Sequence, residues 1–420
     1  MSIIDKLVHN TIDIFTDRSY NMKDAISDWL SDNYDGSLIE TSAGVNVTAA
    51  RSLALSSVYA CVKILSETIA SLPLPVYKNM SPRGREKAYN HFLYKILHDR
   101  PNPYMTSFQW RRLMITHMCL WGAGISEIEF NKQGFPVALW PLPPWKVEPL
   151  RDNLGNIFYK VHLDNSNQEY KYLRHDQVVV YSAFSTSSFE WMSPIKVQRE
   201  TVGGAIAVKV FGDRTFGQGT NPAGILTYQG RLAEGAEKSL EEKMSKYSGL
   251  SKTHRIMMLP NSMEFKRIGL PPEDAQYLET RSFSIAEIAR IYNMPLHMLH
   301  EHSKQTSFGT GVEEMKNGFV TFTLTPLLVN MEQELKFKLF EGIAEGYYAE
   351  HNLQGLLRGK LSDRVEAYGK LFNMGAISAN EIRDKENMNP QEDGDKYYIP
   401  LNMQEVGAPP EKDETDENET

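Results

Sequence analysis

The sequence predicts an α+β chain, and three observations carry that reading. Apolar residues recur at helical spacing over 55–72, over 278–292 and again over 312–339. Residues 125–185 hold short β-branched and aromatic runs divided by turn residues. Residues 221–270 form a small mixed insert between two further helical stretches. Helices and strands that segregate in this way, without regular alternation, define the α+β class.

Residues 1–45 read as a loosely attached arm with some helical character, broken by Asp32, Asn33, Asp35 and Gly36. A helix is expected to start at Thr48, a suitable N-cap, and to run to Leu72. Leu55, Val58, Val62, Leu65, Ile69 and Leu72 form its apolar face, and Pro73 and Pro75 end it. Leu74, Val76 and Tyr77 then read as a short strand. A second helix is expected over Ser107–Trp121. Strands are expected at Ile125–Phe130, Lys146–Leu150, Phe158–Leu163 and Val178–Tyr181, with Pro141, Pro143 and Pro144 as a stiff connector.

Residues 195–216 read as a helix despite Gly203 and Gly204. Within the insert, strands are expected at Gly224–Tyr228, Arg255–Leu259 and Met263–Ile268, with a charged helix over Leu232–Tyr247. The helix after Pro271-Pro272 carries Leu278, Ile285, Ile288 and Tyr292 on one face, and Asn293 and Pro295 stop it. A polar loop, Glu301–Gly311, follows. Val312, Met315, Phe319 and Phe322 then resume helical spacing, which continues through Met331, Leu335 and Leu339. Residues 319–325 have strand propensity, but the periodicity on both sides predicts helix. Pro326 removes a backbone donor and is expected to kink it. Residues 361–385 read as one more helix, and Tyr397–Asn402 as an extended end piece.

Charge is unevenly placed. The chain carries −8 overall; residues 381–420 hold 13 acidic and 4 basic side chains, a net of −9, which leaves the other 380 residues at +1. A near-neutral body excludes a tight, general DNA binder, which needs a clustered basic excess. The segment 411–420 reads as a solvated acidic tail. Cys61 and Cys119 imply no disulfide framework and no metal-type spacing, and are expected as buried thiols in a reducing compartment. The longest apolar candidate for a membrane span, Leu113–Ser126, has 14 residues where about 20 are needed. Asp5, Lys6 and His9 interrupt any signal-peptide core, so a cytoplasmic site of synthesis is expected.

Motifs of catalysis are missing. Gly355-Leu-Leu-Arg-Gly-Lys-Leu361 lacks the spacing and the hydroxyl of a phosphate-binding loop. No dinucleotide fingerprint and no nucleophile elbow occur. His297, His300 and His302 beside Glu301 do not match a zinc-hydrolase helix, and read better as a helix end and polar loop. Trp110, Trp121, Trp140, Trp145 and Trp191 suit a base-stacking platform, but more often such residues anchor a core or an interface.

An ordered set of segments resembles the portal protein family of long-tailed bacteriophages, from about residue 48 to 402. The set begins with Ser56–Ala70, Ser71-Leu-Pro-Leu-Pro-Val-Tyr77 and Leu97-His-Asp-Arg-Pro-Asn-Pro103. It continues with Trp121-Gly122, Leu139–Val147 and Ser193-Pro194-Ile195. Asp274–Arg281 and Ile285–Pro295 are the most telling stretches. Thr323-Leu-Thr-Pro326, Glu332-Gln-Glu-Leu335, Ala379–Arg383 and Pro400-Leu-Asn402 complete it. Three local departures occur: Ala123-Gly124 after Gly122 where the family often has asparagine, Tyr181 where histidine is common, and no glycine before Ser193.

The resemblance implies a dodecameric ring of wing, stem, clip and crown layers around a DNA channel at one capsid vertex. It maps the wing to 46–194 plus a kinked helix over 311–345, and the stem to 195–220 and 271–293. The clip would be 221–270, the channel loop 294–310, the crown 346–402, and 403–420 an acidic disordered tail. Arg281 and Arg290 are the stem's candidate residues, Pro326 the kink, and Lys304, Gln305, Thr306 and Ser307 the channel lining. One lysine per subunit would steer DNA without trapping it, since many would bind phosphate strongly. The implied partners are further copies of the chain, transient double-stranded DNA, the terminase large subunit, the major capsid and scaffold proteins, and a head-to-tail adaptor. No membrane, cofactor, metal or enzymatic activity is implied. The location would be the virion, and the host cytoplasm during assembly. The competing readings are another virion ring component, such as an adaptor, and an enzyme using His300 and Glu301.

Overall fold

The computed structural model describes residues 41–218 (except 81, 83, 164–169 and 188), 224–228, 263–267, 274–300, 310–353, 356, 361–386 and 388–398. The expected arm up to residue 40, the charged helix 232–247, the strand 255–259, the loop 301–309 and everything after 398 lie outside these residues. The chain divides into a larger compact unit ending at Asn352 and a smaller one beginning at Leu353.

The first helical stretch is two helices. Thr48 caps α1 (Ala49–Leu53) by accepting from the Arg51 amide at 3.1 Å. Leu55 is extended and turns its side chain into the core, so α2 (Ser56–Ser71) starts afresh. The face expected from periodicity is buried: Leu55, Val58, Val62, Leu65, Ile69 and Leu72. After the prolines comes β1 (Val76–Asn79), which pairs antiparallel with β2 (Arg85–Lys87).

Helix α3 (Ser107–Trp121) has a capping box between Thr106 and Gln109 and stops at Gly122, whose φ of 88° is left-handed. It packs on α2 and on the sheet that follows, and Trp110, Met114, Ile115 and Met118 are its buried face. Cys61 and Cys119 are both buried and free. Burial pushes each thiol up to about 12, which leaves them unreactive.

Two three-stranded antiparallel sheets form the β-rich region. One has the order β4–β3–β8, from β3 (Ala123–Phe130), β4 (Pro136–Leu142) and β8 (Val178–Ser182). The other is sequential: β5 (Val147–Arg151), β6 (Ile157–His162) and β7 (Tyr170–Arg174). Ala123, Ile125 and Val178 of the first meet Val147, Tyr159, Val161 and Leu173 of the second in one apolar cluster. Pro141 corrects the expected connector, because it lies inside β4 opposite Ser126. An edge strand accepts a proline, whose missing N–H faces away from the ladder. Gly124 follows from α3 packing on β3: a β-carbon there would stand 2.2 Å from the Met114 carbonyl oxygen.

Ser193 caps the turn Pro194–Val197 that leads into α4 (Arg199–Gln218). Gly203, costly to a helix, admits the buried Thr41, whose methyl a β-carbon would approach to 2.8 Å. The Ser42 amide donates to Glu200 at 3.1 Å, so residues 41–45 belong to the body and not to the expected arm. Strands β9 (Gly224–Tyr228) and β10 (Met263–Arg267) pair antiparallel, with β10 ending one residue before the expected Ile268. Helix α5 (Asp274–Ile291) packs on α4, where Gly212 lies against Tyr277.

The last long element is continuous helix with two wide turns. α6 (Thr310–Phe319) passes through a π-helical turn, Val320–Leu324, into α7 (Thr325–Leu335), and a second π turn, Lys336–Phe340, ends it. Residues 319–325 are therefore helical, as the flanking periodicity required. β11 (Tyr347–Ala349) then returns to β1, giving a sheet of order β11–β1–β2. That pairing keeps residues 347–352 in the larger unit.

In the smaller unit, the single helix expected over 361–385 is two. α8 (Leu361–Asn373) and α9 (Ala379–Lys385) are separated by a turn with Gly375 at φ 66°. Ser378 and Glu381 form the capping box of α9. Glu386 holds the pair, forming an ion pair with Arg364 and accepting from the Tyr368 hydroxyl, each at 3.0 Å.

His117 is fully buried beside Trp121 and Trp145, with ring centroids at 5.6 and 5.7 Å, and its Nδ1 has no hydrogen-bond partner. Burial pushes its pKa down to about 3. An unfolded histidine titrates near 6.5, so the unfolded chain takes up a proton that the folded chain refuses. Stability is therefore lost as pH falls below about 6.5, by roughly 3 kcal/mol at pH 4.5 from this group. His117→Phe is expected to flatten that part of a urea-denaturation pH profile by about this amount. A second test concerns Gly122, where a β-carbon would stand 2.3 Å from the Met192 carbonyl oxygen. Gly122→Ala combines this collision with a left-handed φ, and is expected to lower unfolding free energy by roughly 2–4 kcal/mol in the same assay.

Candidate functional site

Of the expected site residues, Arg281 and Arg290 lie on α5 and Pro326 at the start of α7. Lys304, Gln305, Thr306 and Ser307 lie outside the described residues, but both flanks of their segment are described. On the leading side, α5 ends with Asn293 in the left-handed conformation at φ 50°. The Met294 amide donates back to the Ala289 carbonyl at 2.8 Å, the long bond of a Schellman-type stop. Tyr292 is buried and its hydroxyl donates to the Cys119 carbonyl at 3.3 Å, which fixes the end of α5 to α3. A 3₁₀ turn, Leu296–Leu299, follows, and His300 closes it at φ 58°. On the returning side, α6 leads into the first π turn.

The two flanks are joined directly. The Asn293 side-chain amide donates to the Phe322 carbonyl at 2.9 Å, and the Thr323 hydroxyl donates to the Asn293 carbonyl at 2.6 Å. The Thr325 hydroxyl and the Thr325 amide both donate to the Val320 carbonyl inside the π turn. Pro326 stands just after that turn, at the start of α7, where it has no N–H to extend the continuous helix.

Beyond that turn, α7 is fastened to the edge of the sheet. β8 is a terminal strand in the order β4–β3–β8, so its outer backbone groups have no strand partner. Side chains of the helix take that place. Asn330 donates to the Ser182 carbonyl at 2.9 Å, the Val180 amide donates to Glu334 at 3.0 Å, and Lys338 donates to the His175 carbonyl. Burial pushes the Glu334 carboxyl up, opposed by the Val180 amide and by Lys338. Burial pushes Lys338 down, opposed by Glu334 and Asp176. Glu332 reaches the other way and accepts from the His351 amide at 2.7 Å and from its ring at 2.8 Å.

Sequence reasoning assigned roles to none of these fasteners, although Asn330, Glu334 and Lys338 recur every four residues and so share one helix face. Arg281 and Arg290 are both exposed on α5, and the Arg290 guanidinium lies 5.8 Å from the Phe283 ring. Among the tryptophans, Trp110 is fully buried with its Nε1 donating to Ser126 at 3.2 Å. Trp191 packs on the inter-sheet core, and Trp140 donates to Glu129 at 2.6 Å. Trp110 and Trp191 anchor packing. His297 is half-buried, His300 is exposed, and Glu301 and His302 lie outside the described residues. No described helix is long and apolar enough to cross a membrane.

Residues 56–387 match the phage portal protein family. The chain is 30% identical over 396 residues to the probable portal protein of Streptomyces phage phiC31, covering 90% of this chain and 85% of that one. It is 28% identical over 359 residues to the portal protein of Enterobacteria phage HK97, covering 84% of each. Its fold resembles a chain in the virion of a native gene transfer agent particle, with a TM-score of 0.56 at 19% identity, over 82% of this chain and 94% of that one. It also resembles an HK97-family phage portal protein from Corynebacterium diphtheriae, with a TM-score of 0.53 at 14% identity, over 74% and 96%. The chain belongs to the phage portal protein family. Its function is that of a portal, and neither the adaptor nor the enzyme reading is favoured.

Glu334 offers a direct test of how α7 is held. Glu334→Gln keeps an acceptor for the Val180 amide and is expected to change unfolding free energy by less than about 1 kcal/mol. Glu334→Leu leaves that amide unpaired and is expected to cost roughly 2–3 kcal/mol. Urea denaturation of the two variants side by side checks the difference.

Proposed function

We propose that twelve copies of this chain close into a ring around a channel at one capsid vertex. Double-stranded DNA enters through it during packaging and leaves through it at ejection. In this reading α4 and α5 are the stem, β9 and β10 belong to the clip, and residues 46–194 with the kinked α6–α7 element form the wing. The smaller unit belongs to the crown. The clip takes the terminase large subunit first and the head-to-tail adaptor later, while major capsid and scaffold proteins surround the wing. The ring carries no catalytic step of its own; the motor supplies the work. It is assembled in the host cytoplasm and remains in the virion.

One observation carries the reading. The outer half of α5 leaves Leu278 and Phe283 61% and 56% exposed, and α4 leaves Val210 and Phe211 exposed as well. Leu278 was expected on the helix's buried face, yet only Ile288 and Tyr292 at the inner end are buried in the protomer. Large apolar side chains on a slender helical pair need a cover that the described residues do not supply. A heterologous ring supplies it, because each copy offers two different faces to its neighbours. A solved neck of a gene transfer agent particle, computed with C12 symmetry, has a chain of similar fold, with a TM-score of 0.55.

Lys304, Gln305, Thr306 and Ser307 line the channel in this reading. Lys304, repeated around the ring, steers the duplex to the axis, while the sparse charge lets it slide. Arg281 and Arg290 extend the positive lining along the stem.

Native mass spectrometry of the 47.9 kDa chain, alone and with scaffold and capsid proteins, tests the ring. A closed assembly of twelve copies is the expected result, and a persistent monomer or dimer in both conditions would overturn the reading. Leu278→Lys with Phe283→Glu is expected to yield protomers with unchanged far-ultraviolet circular dichroism but no ring. An intact ring in that variant would remove the stem faces from the interface.

A further inference from the structure

A helix stop in the left-handed conformation is ordinarily made by glycine, and asparagine is the second choice. Here the stop is Asn293, and its side chain has a second task. Pro326 has no N–H to give to the carbonyl four residues before it, and that carbonyl belongs to Phe322. Phe322 is also the acceptor of the Asn293 amide, at 2.9 Å. The donor absent from one helix is thus provided by the last turn of another. The Thr323 hydroxyl returns a bond to the Asn293 carbonyl at 2.6 Å, so the two flanks are tied in both directions. These bonds join position 293 to positions 322 and 323, on either side of the intervening stretch.

We infer that Asn293 and Pro326 are a matched pair of positioning residues. The proline creates the opening in the α6–α7 helix into which the asparagine amide docks, and the docking sets the two flanks of the channel segment relative to each other. The inference rests on the channel reading for its purpose and on this geometry for its mechanism. It explains why the stop is asparagine and not glycine, and why a proline stands within a long helix. Asn293 is exposed, so the tie adds little to global stability and acts locally.

The test is amide hydrogen exchange read by mass spectrometry over residues 294–300 and 310–324 of the full chain, with native mass recorded on the same samples. Asn293→Gly keeps the left-handed conformation and deletes the amide. Asn293→Asp keeps the shape and deletes the donor. Both are expected to speed exchange in both flanks by about three- to tenfold, the loss of one hydrogen bond, with the assembly mass unchanged. Pro326→Ala restores an N–H to the helix. In the double variant Asn293→Gly with Pro326→Ala, exchange is expected to match that of Pro326→Ala alone. An equal effect of Asn293→Gly in both backgrounds would show that the amide does not stand in for the missing donor, and would overturn the pairing. Unchanged exchange in Asn293→Gly would overturn the tie itself. Failure of the wild-type chain to form a ring would remove the channel reading, and the positioning role with it, and is seen separately in the mass.

Discussion

The outer edge of β8 is satisfied by side chains and not by another strand. An open edge is a row of backbone donors and acceptors that must be paired, covered or left to water. α7 covers it with Asn330, Glu334 and Lys338, spaced so that each meets β8 or the turn just before it. Their apolar neighbours on the same helix, Leu328, Met331, Leu335 and Leu339, are buried. This fastening makes the α6–α7 helix part of the sheet's framework. The flank that returns after residues 301–309 therefore inherits its position from the sheet. Glu332 extends the framework to His351 just beyond β11, and through β1 to the end of α2. The other flank is held through Tyr292 and Cys119 on α3. Both flanks thus trace back to the same core of α2, α3 and β3.

Much of this architecture was legible in the residues. The apolar face of α2, the boundaries of α3 and the sites of β3, β5, β6 and β8 follow from periodicity and turn chemistry, which are local signals. The missed pieces have non-local causes. β2 and β11 are each three residues long, and only their partner β1 makes them strands. Pro141 argued against a strand at β4, and only its place at the sheet edge makes it acceptable. The break at Leu55 and the glycines at 124 and 203 report close packing that no spacing rule shows.

The candidate site was legible in outline and opaque in its detail. Asn293 and Pro295 were read as the stop that ends α5, and the helix does end there; Pro326 was read as a missing donor. The sequence does not say that the missing donor of one helix and the spare amide of another are in contact. That knowledge needs the fold, because 293 and 322 belong to different elements. The segments Thr323–Pro326 and Glu332–Leu335 stood out as ordered motifs before any role was known for them. Their polar members turn out to be ties: Thr323 and Thr325 at the π turn, Glu332 and Glu334 on either side of α7.

The two π turns that bracket α7 have a bearing on how such a chain can change length. A π turn is a helix that has absorbed one extra residue without unwinding. Each residue in a helix advances its side chains by about 100° around the axis. The wide turns at 320–324 and 336–340 therefore act as phase adjusters, aligning the buried faces of α6, α7 and the segment leading to β11. A deletion of a single residue in either turn would swing one partner face to solvent. Indels in this family should accordingly be scarce between 319 and 340 and concentrate on either side of it.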